Sequence, residues 1–313
     1  APLGVIEPKS TKQTAPYFVD YIRDNLIAKY GHETVYEGGL KIYTSLDLRL
    51  QNLANEILIS NLPDGGQDSK GLTQPQAAMI VLDTQEGYIR AMVGGRGEDE
   101  FNRAVMSYRQ PGSAFKPFVY TAALQAGFTP ATILDDSPIE FLIPGQAEPW
   151  APINNDRVFR GFVTVRKALE DSINVPSVKL LDQVGVSNAI KAAKSMGITS
   201  LVETGRINDM NLSLVLGGLT RGVTPLEMAS AFTVFANQGI KPEPIAILRV
   251  EDANGNVLER NTPKKKVVLD EQTAFIITDM LRGVITRGTG KSANIGRPAA
   301  GKTGTTSEYT NAW

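Results

Sequence analysis

The sequence predicts an α+β protein in which an antiparallel sheet is flanked by helices and joined to a mainly helical lobe. Three observations support this class. Short segments of strand character occur early, at residues 40–43, 77–82 and 88–93. Apolar residues at helical spacing dominate the middle of the chain. A segment with glycines and strand character, residues 302–306, comes last.

The first elements are helices around a short strand. Residues 16–30 place Phe18, Ile22 and Leu26 on one face, which predicts an amphipathic helix. A second helix, after the strand at 40–43, ends near Leu58. The two strands that follow are joined through Gly87, and this connection predicts a hairpin.

The later elements are indicated by caps and turns. Segments 245–250 and 256–258 form a second predicted hairpin across Asn254-Gly255. The remaining predicted helices are residues 187–196, a helix opened by the capping box of Thr224 and Glu227 with Pro225 at its first position, and residues 270–285.

Composition excludes several classes of function. The net charge is −1 and the pI is about 6.1, so no basic field indicates a nucleic-acid partner. The chain has no cysteine, hence no thiol nucleophile or thiolate metal site. Its single histidine, His32, lies far upstream beside Gly31, which leaves no base for a Ser-His-Asp triad. A covalent serine enzyme with this composition must activate its serine with lysine.

The segment Ser113-Ala114-Phe115-Lys116 supplies such a pair. Pro111 and Gly112 make a turn, and Pro117 must lie in the first turn of a helix, so a helix begins near Ser113. Unpaired N–H groups at that position favour an oxyanion. The three-residue spacing puts the serine and the lysine on one helical face, where the amine can reach the hydroxyl.

A free lysine, with a pKa of about 10.4, is a poor base at neutral pH. Burial and a nearby positive charge, for which Lys302 is the candidate, both lower that value. The predicted helix is apolar on nearly all sides, through Phe115, Phe118, Val119, Ala122, Ala123 and Ala126. These apolar neighbours favour a buried Lys116 over the alternative of an exposed lysine on a surface helix.

Two further signals follow in order. Ser172-Ile173-Asn174 lies between two helical patterns, where Pro176 enforces a break, and Lys302-Thr303-Gly304 lies in the last predicted strand. A loop between buried helices can aim polar groups into a cleft, and a strand edge can pair with a peptide. The structural alternatives are helix caps for Ser172 and Asn174 and a solvated loop for the lysine segment.

With these three motifs the chain resembles the penicillin-binding transpeptidase domain of class A, bifunctional peptidoglycan synthases. The resemblance covers roughly residues 40–313. It includes Arg109-Gln110-Pro111-Gly112-Ser113 with Lys116-Pro117-Phe118, residues 301–311 with Ala312-Trp313, residues 223–229, and Tyr43-Thr44-Ser45-Leu46-Asp47. It implies the penicillin-binding and serine β-lactamase fold.

The resemblance also implies a D,D-transpeptidase that cross-links peptidoglycan. Ser113 would attack the carbonyl between two terminal D-alanines of a stem peptide, and an amine from a neighbouring stem would resolve the acyl-enzyme. β-Lactams would acylate the same serine, and no metal or cofactor is implied. The implied catalytic residues are Ser113, Lys116, Ser172 and Lys302, the substrate-binding residues are Asn174, Thr303, Gly304 and Thr305, and the backbone N–H groups of Ser113 and Thr305 form the oxyanion hole.

The resemblance further implies a domain arrangement. Residues 1–75 would be a linker after a glycosyltransferase domain, and residues 76–313 a transpeptidase domain that lacks its C-terminal strands and helix. We expect those strands to be supplied by a separate chain or a cleaved segment. The implied location is the extracytoplasmic face of the bacterial cell membrane, anchored by an N-terminal segment outside this chain.

The same motifs are compatible with three other functions. A serine β-lactamase or a D,D-carboxypeptidase releases the acyl group to water. The E-x-x-L-N segment of class A β-lactamases is missing, since Glu203 lacks the following Leu and Asn. A β-lactam sensor without turnover is the non-enzymatic alternative, and the resemblance of residues 1–43 to a synthase junction argues against it.

Overall fold

The computed structural model describes residues 14–142, 148–306 and 310–313, and these residues divide into two compact units. The first unit contains the described residues up to Val81, together with Ile89–Ala104 and Ala246–Asn261. The second contains Leu82–Tyr88, Val105–Ile245 and the described residues from Thr262 to Trp313, and it includes every predicted site residue.

Both units mix helices and strands, which confirms the predicted α+β class. The helices are α1 (Pro16–Tyr30), α2 (His32–Glu37), α3 (Leu48–Asn61), α4 (Arg103–Met106), α5 (Lys116–Gln125), α6 (Val165–Glu170), α7 (Asn174–Val184), α8 (Val186–Ser195), α9 (Pro225–Ala236) and α10 (Glu271–Thr286). The strands are β1 (Lys41–Thr44), β2 (Met79–Leu82), β3 (Ile89–Val93), β4 (Ile133–Asp136), β5 (Gly161–Thr164), β6 (Ile240–Pro242), β7 (Ile247–Glu251), β8 (Val257–Arg260) and β9 (Lys265–Val267). Among the described helices, none has the length and apolar character needed to cross a bilayer.

The strands are distributed over small sheets. In the first unit β7 pairs antiparallel with both β1 and β8, and β2 pairs with β3. The predicted hairpins are therefore confirmed, but the pairing of Lys41 with Glu251 is a long-range contact that no local pattern indicated. Helix α3 packs on β3 through Ala54, Leu58, Ala91 and Val93.

The second unit is built around α5, which packs against α7, α8 and α10. Eight consecutive residues from Lys116 to Ala123 are buried, so α5 is enclosed on all sides as its apolar sequence predicted. Two more antiparallel sheets, β4 with β5 and β6 with β9, belong to this unit. The lysine at the start of α5 is therefore held inside a helical core.

The predicted capping box at the start of α9 is formed only in part. Thr224 Oγ1 accepts a hydrogen bond from Glu227 N at 3.2 Å and caps α9. The carboxylate of Glu227 does not return to the cap, however. Its Oε1 accepts from the backbone N–H groups of Thr199 and Ser200, because that neighbouring loop brings two donors to it.

The Lys302 segment differs from a continuous strand. Gly304 and Trp313 exchange two backbone hydrogen bonds, of 3.0 and 2.9 Å, and Thr306 N donates to Asn311 O at 3.2 Å. Residues 311–313 therefore pair with this segment. Among the described residues this pairing consists of one bridge, Thr305 with Ala312.

Candidate active site

Ser113 lies in a single 3-10 turn, Gly112–Phe115, that runs directly into α5. The helix therefore begins near Ser113 as predicted, although the α-helical part starts only at Lys116. Gly112 has φ 54°, and a Cβ there would lie 2.4 Å from Thr305 O. A Cβ on Gly217 would lie 2.2 Å from Gly112 O. Three backbone segments are thus in direct contact around the serine, which fixes its position.

The side chain of Lys116 is fully buried and its amine is surrounded by oxygen atoms. Nζ donates to Ser172 O at 2.7 Å, Asn174 Oδ1 at 2.9 Å and Ile173 O at 3.2 Å, and it lies 3.3 Å from Ser172 Oγ. Among the described residues it makes no hydrogen bond to Ser113. The contact suggested by the three-residue spacing is replaced by contacts to the loop that contains Ser172.

Burial lowers the pKa of Lys116 well below its ordinary value, and the charge of Lys302 lowers it further. The three carbonyl-type oxygens act in the opposite direction, since they accept hydrogen bonds only and favour a protonated amine. Removal from water is the larger effect for a fully buried cation that has no carboxylate partner. The arrangement therefore favours a neutral amine, which donates to two of these oxygens at a time and keeps one lone pair.

Ser172 occupies the left-handed position after α6, with φ 57°. Its N–H donates to Leu169 O at 3.2 Å, and Ile173 N donates to Ala168 O at 2.9 Å. This pattern is a Schellman motif, in which glycine is the usual residue at the left-handed position. A serine there carries backbone strain, and the strained turn directs its hydroxyl towards the two lysines.

Lys302 contacts the same hydroxyl. Its Nζ donates to Ser172 Oγ at 2.8 Å and to Thr303 O at 3.0 Å. Burial of this amine lowers the pKa of Lys302 to about 7, even though the residue as a whole keeps partial exposure. Its ammonium group therefore loses its proton close to neutral pH.

The side chain of Asn174 is held by the protein. Its Oδ1 accepts from Lys116, and its Nδ2 donates to Ile153 O at 3.0 Å and to Asn155 Oδ1 at 3.1 Å. Both amide hydrogens are thus engaged inside the chain. The residue lies at the first position of α7, so the cap alternative does not describe it.

Thr303 and Thr305 lie on either side of the buried Gly304. Thr303 Oγ1 is 2.9 Å from Thr289 Oγ1, and Thr305 is exposed. Within the described residues, neither the N–H of Ser113 nor that of Thr305 donates a hydrogen bond. Two free donors therefore lie on segments that contact each other through Gly112, as an oxyanion hole requires.

Two cavities meet at Ser113. One has a volume of about 390 Å³ and is lined by Ser113, Ser172, Thr303 and Thr305, together with Asn154, Asn155, Asp156, Arg160, Asp171, Ile173 and Thr289. The other, of about 270 Å³, is lined by Ser113, Asn174 and Thr305, with Trp150, Ser213, Gly217 and others. Five of the predicted residues, Ser113, Ser172, Asn174, Thr303 and Thr305, therefore line these cavities, whereas Lys116, Lys302 and Gly304 lie behind that lining.

Sequence analysis missed several residues of this cleft. Asn154, Asn155 and Thr289 lie in connecting segments without a distinctive spacing, and Gly217 follows a 3-10 turn at Leu212–Leu216. A proline two residues before Asn154, Pro152, was the one local signal of an ordered loop there. Their roles depend on contacts that are distant in sequence.

Comparison with known proteins agrees with this geometry. Residues 77–312 match the family model described as penicillin binding protein transpeptidase domain. Penicillin-binding protein 1A of Aquifex aeolicus is 32% identical, covering 98% of this chain and 52% of that protein. Penicillin-binding protein 2D of Bacillus subtilis is 36% identical, covering 95% of this chain and 43% of that protein. The chain spans about half or less of the length of these relatives.

Solved structures show the same fold. Penicillin-binding protein 1A from Haemophilus influenzae superimposes with a TM-score of 0.83 at 23% identity, covering 96% of this chain and 64% of that one. The PonA1 protein from Mycobacterium tuberculosis, solved in complex with penicillin V, gives a TM-score of 0.79 at 27% identity and covers 94% of this chain and 77% of that one.

Proposed function

We propose, because this chain belongs to the transpeptidase domain family of penicillin-binding proteins, that it is a serine D,D-transpeptidase whose nucleophile is Ser113. One observation carries the proposal. The fully buried amine of Lys116, one helical turn from Ser113, shares the hydroxyl of Ser172 with Lys302. The proposed donor substrate is a peptidoglycan stem peptide ending in D-Ala-D-Ala.

In the acylation step the neutral amine of Lys116 takes the proton of Ser113 Oγ as that oxygen attacks the carbonyl carbon. The hydrogen bond between the two groups forms only when the substrate is bound, because catalytic contacts are often long before binding. The N–H groups of Ser113 and Thr305 stabilise the oxyanion, and one such donor is worth about 10²–10³ in rate. The result is a tetrahedral intermediate in which Ser113 Oγ is bonded to the former carbonyl carbon, while Lys116 carries the proton.

Ser172 completes the step by moving a proton. Its hydroxyl lies between the amines of Lys116 and Lys302, at 3.3 and 2.8 Å. It passes the proton from Lys116 to the nitrogen of the departing D-alanine, and the C–N bond breaks, which releases D-alanine and leaves the ester of Ser113. An acceptor amine from a second stem peptide then attacks the ester and loses its proton along the reverse route. The bond to Ser113 Oγ breaks as that oxygen regains a proton, and the new amide bond is the cross-link.

Lys302, Thr303 and Thr305 are proposed to bind the terminal carboxylate of the donor, with Gly304 giving the peptide close access to the backbone. An ammonium and two hydroxyls suit a carboxylate. The amide of Asn174 is proposed to contact the substrate peptide after its own partners rearrange. β-Lactams would acylate Ser113, and the penicillin V complex of PonA1 supports that ligand class.

The domain assignment is part of the proposal. Residues 1–75 are taken as the segment that follows a glycosyltransferase domain, and residues 76–313 as part of the transpeptidase domain. The family match from residue 77 supports the second boundary. A protein with this substrate acts at the extracytoplasmic face of the bacterial membrane, where peptidoglycan is cross-linked.

Mass spectrometry of the intact protein after incubation with penicillin tests the nucleophile. We expect one adduct of the mass of the drug, lost in Ser113→Ala and retained in Ser195→Ala, a control on α8. An adduct that persists in Ser113→Ala contradicts the mechanism. Incubation with a stem pentapeptide separates two of the alternatives, because a cross-linked dimer indicates transpeptidation and free D-alanine alone indicates a carboxypeptidase. In the incubation with penicillin, accumulation of hydrolysed drug indicates a β-lactamase.

A further inference from the structure

Asn154 is a buried amide, 2% exposed, whose hydrogen-bonding groups are all engaged. Its Oδ1 accepts from the backbone N–H groups of Asn174 and Val175, both at 3.0 Å. These are the first two N–H groups of α7, which have no partner within the helix. A residue twenty positions upstream therefore caps the helix that starts with Asn174.

The orientation of this amide is set from its other end. Nδ2 donates to Asp136 Oδ1 at 2.7 Å and to Val158 O at 2.8 Å. Asp136, the last residue of β4, is fully buried, and its second oxygen accepts from Arg160 N at 3.0 Å. Because a carboxylate only accepts hydrogen bonds, it requires Nδ2 on its side and so turns Oδ1 towards α7.

This arrangement leads to the catalytic amine. Asn174 Oδ1 accepts from Lys116 Nζ at 2.9 Å, and Asn154 fixes the backbone from which that oxygen projects. The other oxygen partners of Lys116 Nζ belong to Ser172 and Ile173, in the turn just before α7. A displaced start of α7 would therefore displace the amine.

We propose that Asn154 is a positioning residue for acyl transfer, acting through Asn174 on Lys116, with Asp136 holding its amide in the required orientation. The inference rests on the proposed function, in which Lys116 is the base. Two other roles are distinguishable by experiment. Asn154 also borders the larger cavity, which would allow direct contact with a ligand, and a simple helix cap would affect stability alone.

The test separates binding from acylation. Stopped-flow fluorescence with a fluorescent penicillin gives the dissociation constant Kd of the initial complex and the acylation rate constant k2. For Asn154→Ala we expect k2 to fall by about 10- to 100-fold, the range for a misplaced catalytic group. Kd should stay within about threefold. Asp270→Ala removes the cap of α10, where Oδ1 accepts from Thr273 N at 2.8 Å, and is the matched control for a lost cap.

Exchanging the amide of Asn154 and the carboxylate of Asp136 provides a second test if Asn154→Ala does not fold. Asn154→Asp places two buried carboxylates face to face and should depress k2 strongly. Adding Asp136→Asn restores a donor between them, keeps an acceptor for Arg160 N and keeps the cap of α7, although Val158 O still lacks the donor that Asn154 supplied. We expect the double variant to recover k2 at least tenfold over Asn154→Asp.

Three results overturn the proposal. In the first, Asn154→Ala folds and is destabilised as much as Asp270→Ala, but its k2 equals that of the wild type. In the second, Asn154→Ala raises Kd and leaves k2 unchanged. In the third, the double variant folds but its k2 stays as low as that of Asn154→Asp. Failure of the wild-type protein to be acylated at all would instead count against the proposed function.

Discussion

Ser172 Oγ accepts a 2.8 Å hydrogen bond from Lys302 Nζ and lies 3.3 Å from Lys116 Nζ. A hydroxyl donates once and accepts from its lone pairs, so it can link a protonated amine to a neutral one. Two ammonium groups this close would repel each other, which favours one proton shared between the lysines. The hydroxyl of Ser172 therefore links the side chains of Lys116 and Lys302.

The first prediction concerns pH and stability. Because burial lowers the pKa of Lys302 to about 7, against an ordinary 10.5, the folded protein releases this proton before the unfolded chain does. Between pH 7 and pH 9 the unfolded state binds more protons, so the free energy of unfolding rises with pH, by up to about 1.4 kcal/mol per unit for one proton. Urea unfolding at the two pH values measures this rise.

Lys302→Met should reduce that rise, because methionine fits the partly buried position without a proton to lose. Lys191→Met, at an exposed position of α8, should leave it as in the wild type. Equal slopes in the wild type and in Lys302→Met would show that Lys302 does not titrate in this range.

The second prediction separates basicity from charge at Lys116. Lys116→Arg keeps a cation but cannot supply a neutral base, since guanidinium stays protonated. We expect acylation by penicillin to slow by about 10²–10⁴-fold, the usual contribution of a general base. Lys179→Arg, a lysine on α7 paired with Asp135 at 2.7 Å, is the control and should acylate normally. Normal acylation in Lys116→Arg would show that the position needs charge and not basicity.

The third prediction uses the left-handed backbone of Ser172. Ser172→Ala removes the hydroxyl and keeps the strain, whereas Ser172→Gly removes both. Thermal unfolding should find the glycine variant more stable than the alanine variant by about 1 kcal/mol, while both lose most acylation activity. If Ser172→Gly retains wild-type acylation, the hydroxyl has no part in proton transfer.

The fourth prediction concerns the contact behind Ser113. Gly217 has φ 70° and no space for a Cβ against Gly112, so Gly217→Ala should displace the 3-10 turn and slow acylation by at least tenfold. The neighbouring Gly218→Ala would place a Cβ 3.2 Å from Ser213 Oγ and at ordinary contact distance from Ser213 Cβ and O, so rotation of the serine side chain should accommodate it. Similar acylation rates for both variants would show that this backbone contact does not position the nucleophile.

The amino-acid sequence by itself determined the local features of this protein. Pro111, Gly112 and Pro117 define where the helix with Lys116 begins, and the apolar residues that follow require its burial. The hairpins and the cap at Thr224 likewise follow from residues within a few positions of each other. Such features depend on backbone sterics and short-range hydrogen bonds, which a sequence pattern records directly.

Only the tertiary structure decided which groups meet. The hydrogen bonds of Lys116 go to the loop of Ser172 instead of Ser113, and Asn154 caps a helix that it does not precede directly. The contact of Gly217 with Gly112 and the pairing of Lys41 with Glu251 join segments about a hundred residues apart or more. These contacts depend on how buried helices pack and on where the backbone lacks room for a Cβ, and neither has a period or spacing along the chain.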